Sequence, residues 1–209
     1  MSIKSASKGF ILGVALLIGC SSSALNPVDG TFVVPSFKVY ADASFTLNHK
    51  IDISTALLEW NEKTNNAVQL SVEFVPLLRL KNLIKNTMYL YPVDTEPGIL
   101  GITTVYSDGY IVIHVSPNIN DDEQFTAVIM HEVGHGMGLR HTLTVPAIMH
   151  ATLETNHVEC TDVKELCKLL GCSIDCVTGD ELPMSIDPNV SVQPTSTNNF
   201  ECVLMGDVN

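Results

Sequence analysis

Apolar residues recur along this chain with two different periods, which predicts a mixture of helices and strands. From Asp52 to Lys63 they are spaced three and four apart, as in an amphipathic helix that buries Trp60. From Val68 to Val75 apolar and polar residues alternate, which predicts a half-buried strand. Other segments rich in β-forming residues predict further strands, at 32–34 and 37–40, 86–91, about 102–106 and 110–115.

Two more helices are predicted in the second half of the chain. Asn120 and Glu123 form a plausible capping pair for the first, which ends near Gly138 because glycine adopts a left-handed conformation at little cost. Thr161 is expected to cap the second, from Asp162 to Leu170, with Gly171 closing it.

The first of these helices carries the sequence HEVGHGMGLRH, from His131 to His141. Residues four apart on a helix share one face, so His131 and His135 can offer their imidazoles to one ion, with Glu132 beside them. A turn at Gly138 lets the chain double back and bring His141 to the same ion. Three imidazoles that leave one position open are typical of a catalytic zinc site.

This stretch and Met149, which follows His141 by eight residues, resemble the metzincin zinc peptidases. The spacing is most similar to the matrix metalloproteinase (matrixin) branch. The resemblance implies an α+β, zincin-like fold: a twisted mixed sheet of about four to five strands, an active-site helix, a backing helix and a third helix after the methionine turn. It also implies that the strand before the zinc helix is the sheet edge that pairs with an extended substrate, here Tyr110, Ile111, Val112, Ile113, His114 and Val115.

The resemblance implies a zinc-dependent endopeptidase. Zn²⁺ held by His131, His135 and His141 activates a water molecule, and Glu132 is the expected general base. Met149 is expected to pack beneath the ligands. Two alternatives are a catalytically inactive zinc-binding protein and a purely structural surface lipoprotein, although a non-catalytic site has no need of a proton acceptor at Glu132.

Gly134 and Gly136 lie inside the predicted zinc helix, where each costs about 1 kcal/mol relative to alanine. A sequence selected only for helix stability would avoid them. We therefore expect a neighbouring backbone to approach closely there.

Charge excludes one class of partner. The chain has 23 acidic and 11 basic residues and a net charge of -12, whereas phosphate binding needs clustered Lys and Arg, so we expect no nucleic acid partner. Asp94, Glu96 and Asp108 could contribute to a Ca²⁺ site, but their spacing matches no known ligand pattern.

The N-terminal segment predicts export. Lys4 and Lys8 precede a short apolar run, so residues 1–19 are typical of a signal peptide. The sequence that ends at Cys20 is similar to the lipobox of bacterial lipoproteins, with residues 20–30 as a linker. A lipid on Cys20 would anchor the protein at the bacterial cell surface or outer membrane. An ordinary secreted protein is the alternative.

The domain boundaries follow from these assignments: a catalytic domain at 31–176 and an irregular tail at 177–209. Export favours disulfides, and two bridges with one cysteine left over are expected. Their pairing stays open among Cys160, Cys167, Cys172, Cys176 and Cys202, although Cys202 is expected to staple the tail to the last helix. The segment between Cys20 and the first strand is too short to cover a cleft, so any latency is expected to come from a separate protein inhibitor.

Overall fold

The secondary structure alternates between strands and helices in an α+β arrangement, as predicted. The computed structural model describes residues 35–77, 84–172, 174 and 200–205. Within these ranges there are six strands and three helices: β1 Ser36–Asp42, α1 Leu47–Lys63, β2 Gln69–Val75, β3 Thr87–Pro92, β4 Ile99–Val105, β5 Ile111–Val115, α2 Asp122–Gly136, α3 Cys160–Leu170 and β6 Phe200–Met205.

The six described strands form one mixed sheet in the order β2-β1-β3-β5-β4-β6. The pairs β1–β2, β1–β3 and β3–β5 are parallel. β4 runs antiparallel to both β5 and β6. The prediction of a mixed sheet is therefore confirmed. The described sheet has six strands, whereas about four to five were expected.

The strand before the zinc helix is not a sheet edge, so that prediction for Tyr110 to Val115 is wrong. Tyr110 precedes β5, and β5 pairs with β3 on one side and β4 on the other. The physical reason is the tight turn at residues 107–109, which folds β4 back along β5 and places β4 outside it. The nearly continuous burial of β5 is typical of an interior strand.

The core brings α1 and α2 together and sets α2 against the sheet. Trp60 of α1 is fully buried, and its Nε1 donates a hydrogen bond to the Met130 carbonyl of α2 over 3.0 Å. At Gly136, α2 lies next to Met88 of β3 and Ile111 of β5. Helix α2 is thus fixed from both sides, as a rigid scaffold for a functional site requires.

The helices begin at different residues from those predicted. α1 begins at Leu47, earlier than Asp52, because the Thr46 side chain caps it by accepting from the His49 N–H. Asp121, rather than Asn120, caps α2 and accepts from the Gln124 N–H over 2.7 Å. α3 begins at Cys160, before the predicted Asp162, and ends as predicted at Gly171, whose φ is 73°.

Several predictions concern residues outside the described ranges: the signal peptide, Cys20, the linker and residues 32–34. The tail was expected to be irregular, which is wrong for Phe200–Met205 because these residues form β6. Cys167 and Cys172 are joined by a disulfide, and Cys160 is also disulfide-bonded. None of the described helices has both the length and the apolar character needed to cross a bilayer.

Candidate metal centre

Helix α2 presents two imidazoles on one buried face. His131 and His135 are separated by one helical turn, and their Nε2 atoms lie 3.0 Å apart. Both side chains are almost completely inaccessible to solvent. Burial of two adjacent imidazoles is unfavourable unless they share a ligand or a proton, so this pair needs a physical explanation.

The turn after α2 adds the third imidazole. α2 ends at Gly136, and Gly138 follows with φ +100°, a left-handed conformation that favours glycine. The chain then returns, and His141 Nε2 lies 3.1 Å from His131 Nε2 and 3.2 Å from His135 Nε2. Within the described part of the chain, these three residues are the only group of His, Cys, Asp or Glu placed to hold a metal ion.

Backbone carbonyls fix the tautomer of the two helical histidines. His131 Nδ1 lies 2.6 Å from the Ile148 oxygen, and His135 Nδ1 lies 2.9 Å from the Leu139 oxygen. A carbonyl oxygen can only accept, so both Nδ1 atoms carry the proton and both Nε2 lone pairs point at each other. Facing lone pairs at this distance repel, whereas a cation between them would bind both.

Burial keeps these imidazoles neutral, which is the state that binds a metal. It lowers the pKa of His131 well below its usual value and the pKa of His135 to about 3. The pKa of His141 is also lowered, first by burial and then by the nearby His150.

The three nitrogens fit a zinc ion. A tetrahedral ion with bonds of about 2.0–2.1 Å holds its ligand nitrogens about 3.3–3.4 Å apart. The observed separations of 3.0 to 3.2 Å are within a few tenths of an ångström of that value. Three neutral imidazoles also match the ligand preference of zinc, and the described residues offer no fourth protein ligand to close the site.

Glu132 follows His131 on α2, and its side chain is fully buried. Only one of its two carboxylate oxygens has a hydrogen-bond partner among the described residues. Its Oε2 accepts a hydrogen bond from the Thr103 hydroxyl over 2.6 Å, whereas Oε1 has no hydrogen-bond partner among the described residues. Burial raises the pKa of Glu132 to about 8. A carboxyl group whose pKa lies near neutrality can exchange a proton with a reacting group in that pH range.

Strand β4 leaves room for this carboxylate because residue 101 is glycine. A Cβ on Gly101 would lie 2.6 Å from Glu132 Oε1. Any larger residue would therefore displace the Glu132 side chain. Sequence reasoning missed both Gly101 and Thr103, since only the tertiary fold brings β4 to Glu132.

Asp162 is a further residue near the candidate site that sequence reasoning missed. Its buried carboxylate accepts from the backbone N–H groups of Ile148, Met149 and Glu159 over 2.9, 3.1 and 2.9 Å. The Ile148 carbonyl in turn holds His131. Asp162 of α3 thus holds the backbone at Ile148 and Met149, and the same backbone holds the candidate metal ligand His131. Its position in the first turn of a predicted helix was the only signal in the sequence.

Met149 packs against α2 at Gly134. It is buried, and a Cβ on Gly134 would overlap its Sδ. At Gly136 a Cβ would lie 2.9 Å from the Met88 Sδ. The expected close approach is therefore present at both glycines, but the neighbours are methionine side chains, not backbone.

The structure gives no support to a calcium site. Asp94 Oδ1 accepts a hydrogen bond from the Asn118 side chain over 3.1 Å. Asp94, Glu96 and Asp108 do not form a metal-binding group in the described part of the chain.

Comparison with known proteins gives a family match and likenesses to solved structures. The family model described as matrixin, of the peptidase class, matches residues 39–170. Among solved structures, the archaemetzincin of Methanopyrus kandleri is 13% identical, with a TM-score of 0.47; the match covers 66% of this chain and 96% of that one. A search of curated proteins finds no match.

Proposed function

Because this chain belongs to the matrixin family, we propose that it is a zinc-dependent endopeptidase with Glu132 as its general base. The family and the three-histidine group support a zinc metallopeptidase. One observation carries the finer proposal: three neutral imidazoles converge, and the residue next to His131 is a buried glutamate with one carboxylate oxygen unbound among the described residues.

His131, His135 and His141 would hold the zinc ion. When bound, zinc supplies Lewis acidity, which activates a water molecule near neutral pH and polarises a peptide carbonyl. Glu132 accepts the proton of the attacking water through Oε1 and then delivers it to the amine that leaves. Thr103 holds Oε2 throughout, so that the free oxygen keeps its orientation.

The substrate we propose is a protein or peptide, because the peptidase family acts on peptide bonds. The net charge of -12 disfavours strongly acidic substrates and membranes as direct electrostatic partners.

A Glu132→Gln variant tests the proposed base. Glutamine keeps the shape of the side chain and can still accept from Thr103, but it cannot take up a proton. We expect the zinc content to be unchanged and kcat on an unfolded protein to fall by about 10²–10⁴-fold, the usual contribution of a general base. Glu154→Gln is the matched control, since Glu154 is an exposed carboxylate in the loop after Met149, and we expect it to keep full activity.

The same experiment separates the alternative functions. Equal turnover by Glu132→Gln and the parent protein would remove Glu132 as the general base. Bound zinc with no peptide cleavage by the parent protein would remove the peptidase proposal and leave a zinc-binding protein without catalysis. A structural lipoprotein would bind no zinc and cleave no peptide in either form.

We also propose that the protein is exported and anchored by a lipid on Cys20, on the basis of the sequence that ends at this residue. Metabolic labelling with a radioactive fatty acid tests this. The parent protein should be labelled and sediment with membranes, whereas Cys20→Ser should be neither labelled nor membrane-bound. Unlabelled parent protein in the medium would support the secreted alternative.

A further inference from the structure

Strand β4 contacts Glu132, the residue next to the candidate metal ligand His131. Thr103 donates to the Glu132 carboxylate, and Gly101 faces the same side chain. Because residues two apart in a strand share one face, both lie on the face of β4 that covers α2. A chain paired along the outer edge of β4 would therefore run beside Glu132.

The backbone pairing shows which groups of β4 point outward. The Tyr106 N–H donates to the Tyr110 carbonyl, and the Ser116 N–H donates to the Leu100 carbonyl, both over 3.0 Å. Bonded pairs alternate in an antiparallel ladder, so the even-numbered residues of β4 bond to β5. The N–H and C=O groups of Gly101 and Thr103 consequently point away from β5.

Strand β6 pairs with β4 through these outward-pointing N–H and C=O groups. It runs antiparallel to β4 and pairs Leu204 with Gly101 and Cys202 with Thr103. An extended peptide that adds to a sheet edge uses the same N–H and C=O groups. The C-terminal strand and an extended substrate would thus compete for the backbone of Gly101 and Thr103.

We propose that β6 is an intramolecular inhibitory strand, which must leave β4 before an extended polypeptide binds beside Glu132. The proposal rests on the proposed peptidase function and assigns a regulation to the same site. Because β6 belongs to the same chain, its local concentration is high and independent of protein concentration. A substrate has to displace it, so β6 raises the apparent KM and leaves kcat unchanged.

Two proline variants of the full chain test this inference. Leu204 pairs with Gly101, so the N–H of Leu204 points toward β4. The N–H of the preceding residue, Val203, points away from β4. Proline therefore removes a hydrogen bond between β6 and β4 at residue 204 but not at residue 203. We expect Leu204→Pro to lower the KM for an extended peptide substrate at least tenfold with unchanged kcat, and Val203→Pro to keep the parent KM. Both variants retain every cysteine.

Equal KM values for Leu204→Pro and Val203→Pro would overturn the inference. So would a Leu204→Pro variant that unfolds or aggregates while Val203→Pro does not, because β6 would then serve only to protect the sheet edge.

A binding measurement separates this inference from the proposed function. In a Glu132→Ala background, a fluorescent peptide with the sequence of residues 200–205, its cysteine replaced by serine, is titrated into the parent and Leu204→Pro proteins. We expect at least tenfold tighter binding to Leu204→Pro, with slowed amide exchange at Gly101 and Thr103 on binding. Equal affinities would contradict the inhibitory strand. Tighter binding without cleavage by any Glu132-containing variant would contradict the peptidase proposal alone.

Discussion

The Thr103 hydroxyl lies 2.6 Å from Glu132 Oε2, and both side chains are buried. This hydrogen bond joins β4 to α2 across 29 positions of sequence. It fixes one carboxylate oxygen, while the other has no hydrogen-bond partner among the described residues.

Removal of this hydroxyl should slow catalysis without removing the metal. A hydrogen bond to a charged group contributes about 1.5–3 kcal/mol, so we expect Thr103→Val to lower kcat by about 10- to 100-fold with little change in KM. Thr103→Ser keeps a hydroxyl and should restore most of the activity. Steady-state kinetics and zinc analysis check both variants. Equal activity in Thr103→Val and Thr103→Ser would show that the hydroxyl does not position Glu132.

Asp162 should contribute to metal affinity although it is not a ligand. Its carboxylate holds the N–H groups of Ile148 and Met149, and Ile148 holds His131. Loss of an outer partner of a metal ligand typically weakens metal binding by about 10- to 100-fold, which we expect for Asp162→Ala. The matched control is Glu165→Gln, an exposed carboxylate on the same helix. Competition with a zinc-chelating dye measures the affinities, and identical zinc affinities in the two variants would contradict this role.

The contact between Gly134 and Met149 should be measurable as a coupling energy. A methyl group on residue 134 would overlap the Met149 Sδ, so Gly134→Ala should destabilise the protein by about 1–3 kcal/mol through overpacking. In a Met149→Ala background the overlap is gone, and the same change should be nearly neutral or stabilising. Urea unfolding of the four proteins gives the coupling energy. If the changes in unfolding free energy caused by Gly134→Ala and Met149→Ala simply add, contact with Met149 does not restrict the size of residue 134.

Removal of zinc should abolish activity and leave the fold in place. His131 and His135 are held by backbone carbonyls, and Trp60 anchors α2 to α1, so the core does not depend on the metal. We expect an unchanged far-ultraviolet circular dichroism spectrum after chelation, with a lower Tm because a ligand that binds only the folded state stabilises it. Zn²⁺ should restore activity, whereas Mg²⁺ should not, since it prefers oxygen ligands. Full activity of the zinc-free protein would contradict the proposal.

The sequence predicted the parts of the site that depend on local spacing. His131 and His135 meet because they are one turn apart on a helix, and His141 joins them because Gly138 can turn the chain. Met149 was found through a motif at fixed distance from His141. These relationships span few residues, so the periodicity of a helix and the conformation of one glycine are enough to predict them.

The sequence could not predict relationships that depend on strand order. The family resemblance predicts that β5 is a sheet edge, whereas β4 folds back along β5 and makes it an interior strand. Thr103 reaches Glu132 only through that arrangement, and β6 pairs with β4 although it lies much later in the chain. Such contacts follow from tertiary pairing, for which residue spacing alone gives no signal.

X-ray absorption at the zinc edge of the purified protein tests the central claim most directly. We predict one zinc ion per chain, bound by three imidazole nitrogens at about 2.0–2.1 Å and by a light atom in the open position, with no sulfur in its shell. His135→Ala should lose this signature, whereas the exposed His157→Ala should keep it. Sulfur scatterers at about 2.3 Å, or no bound zinc in a folded protein, would contradict the account.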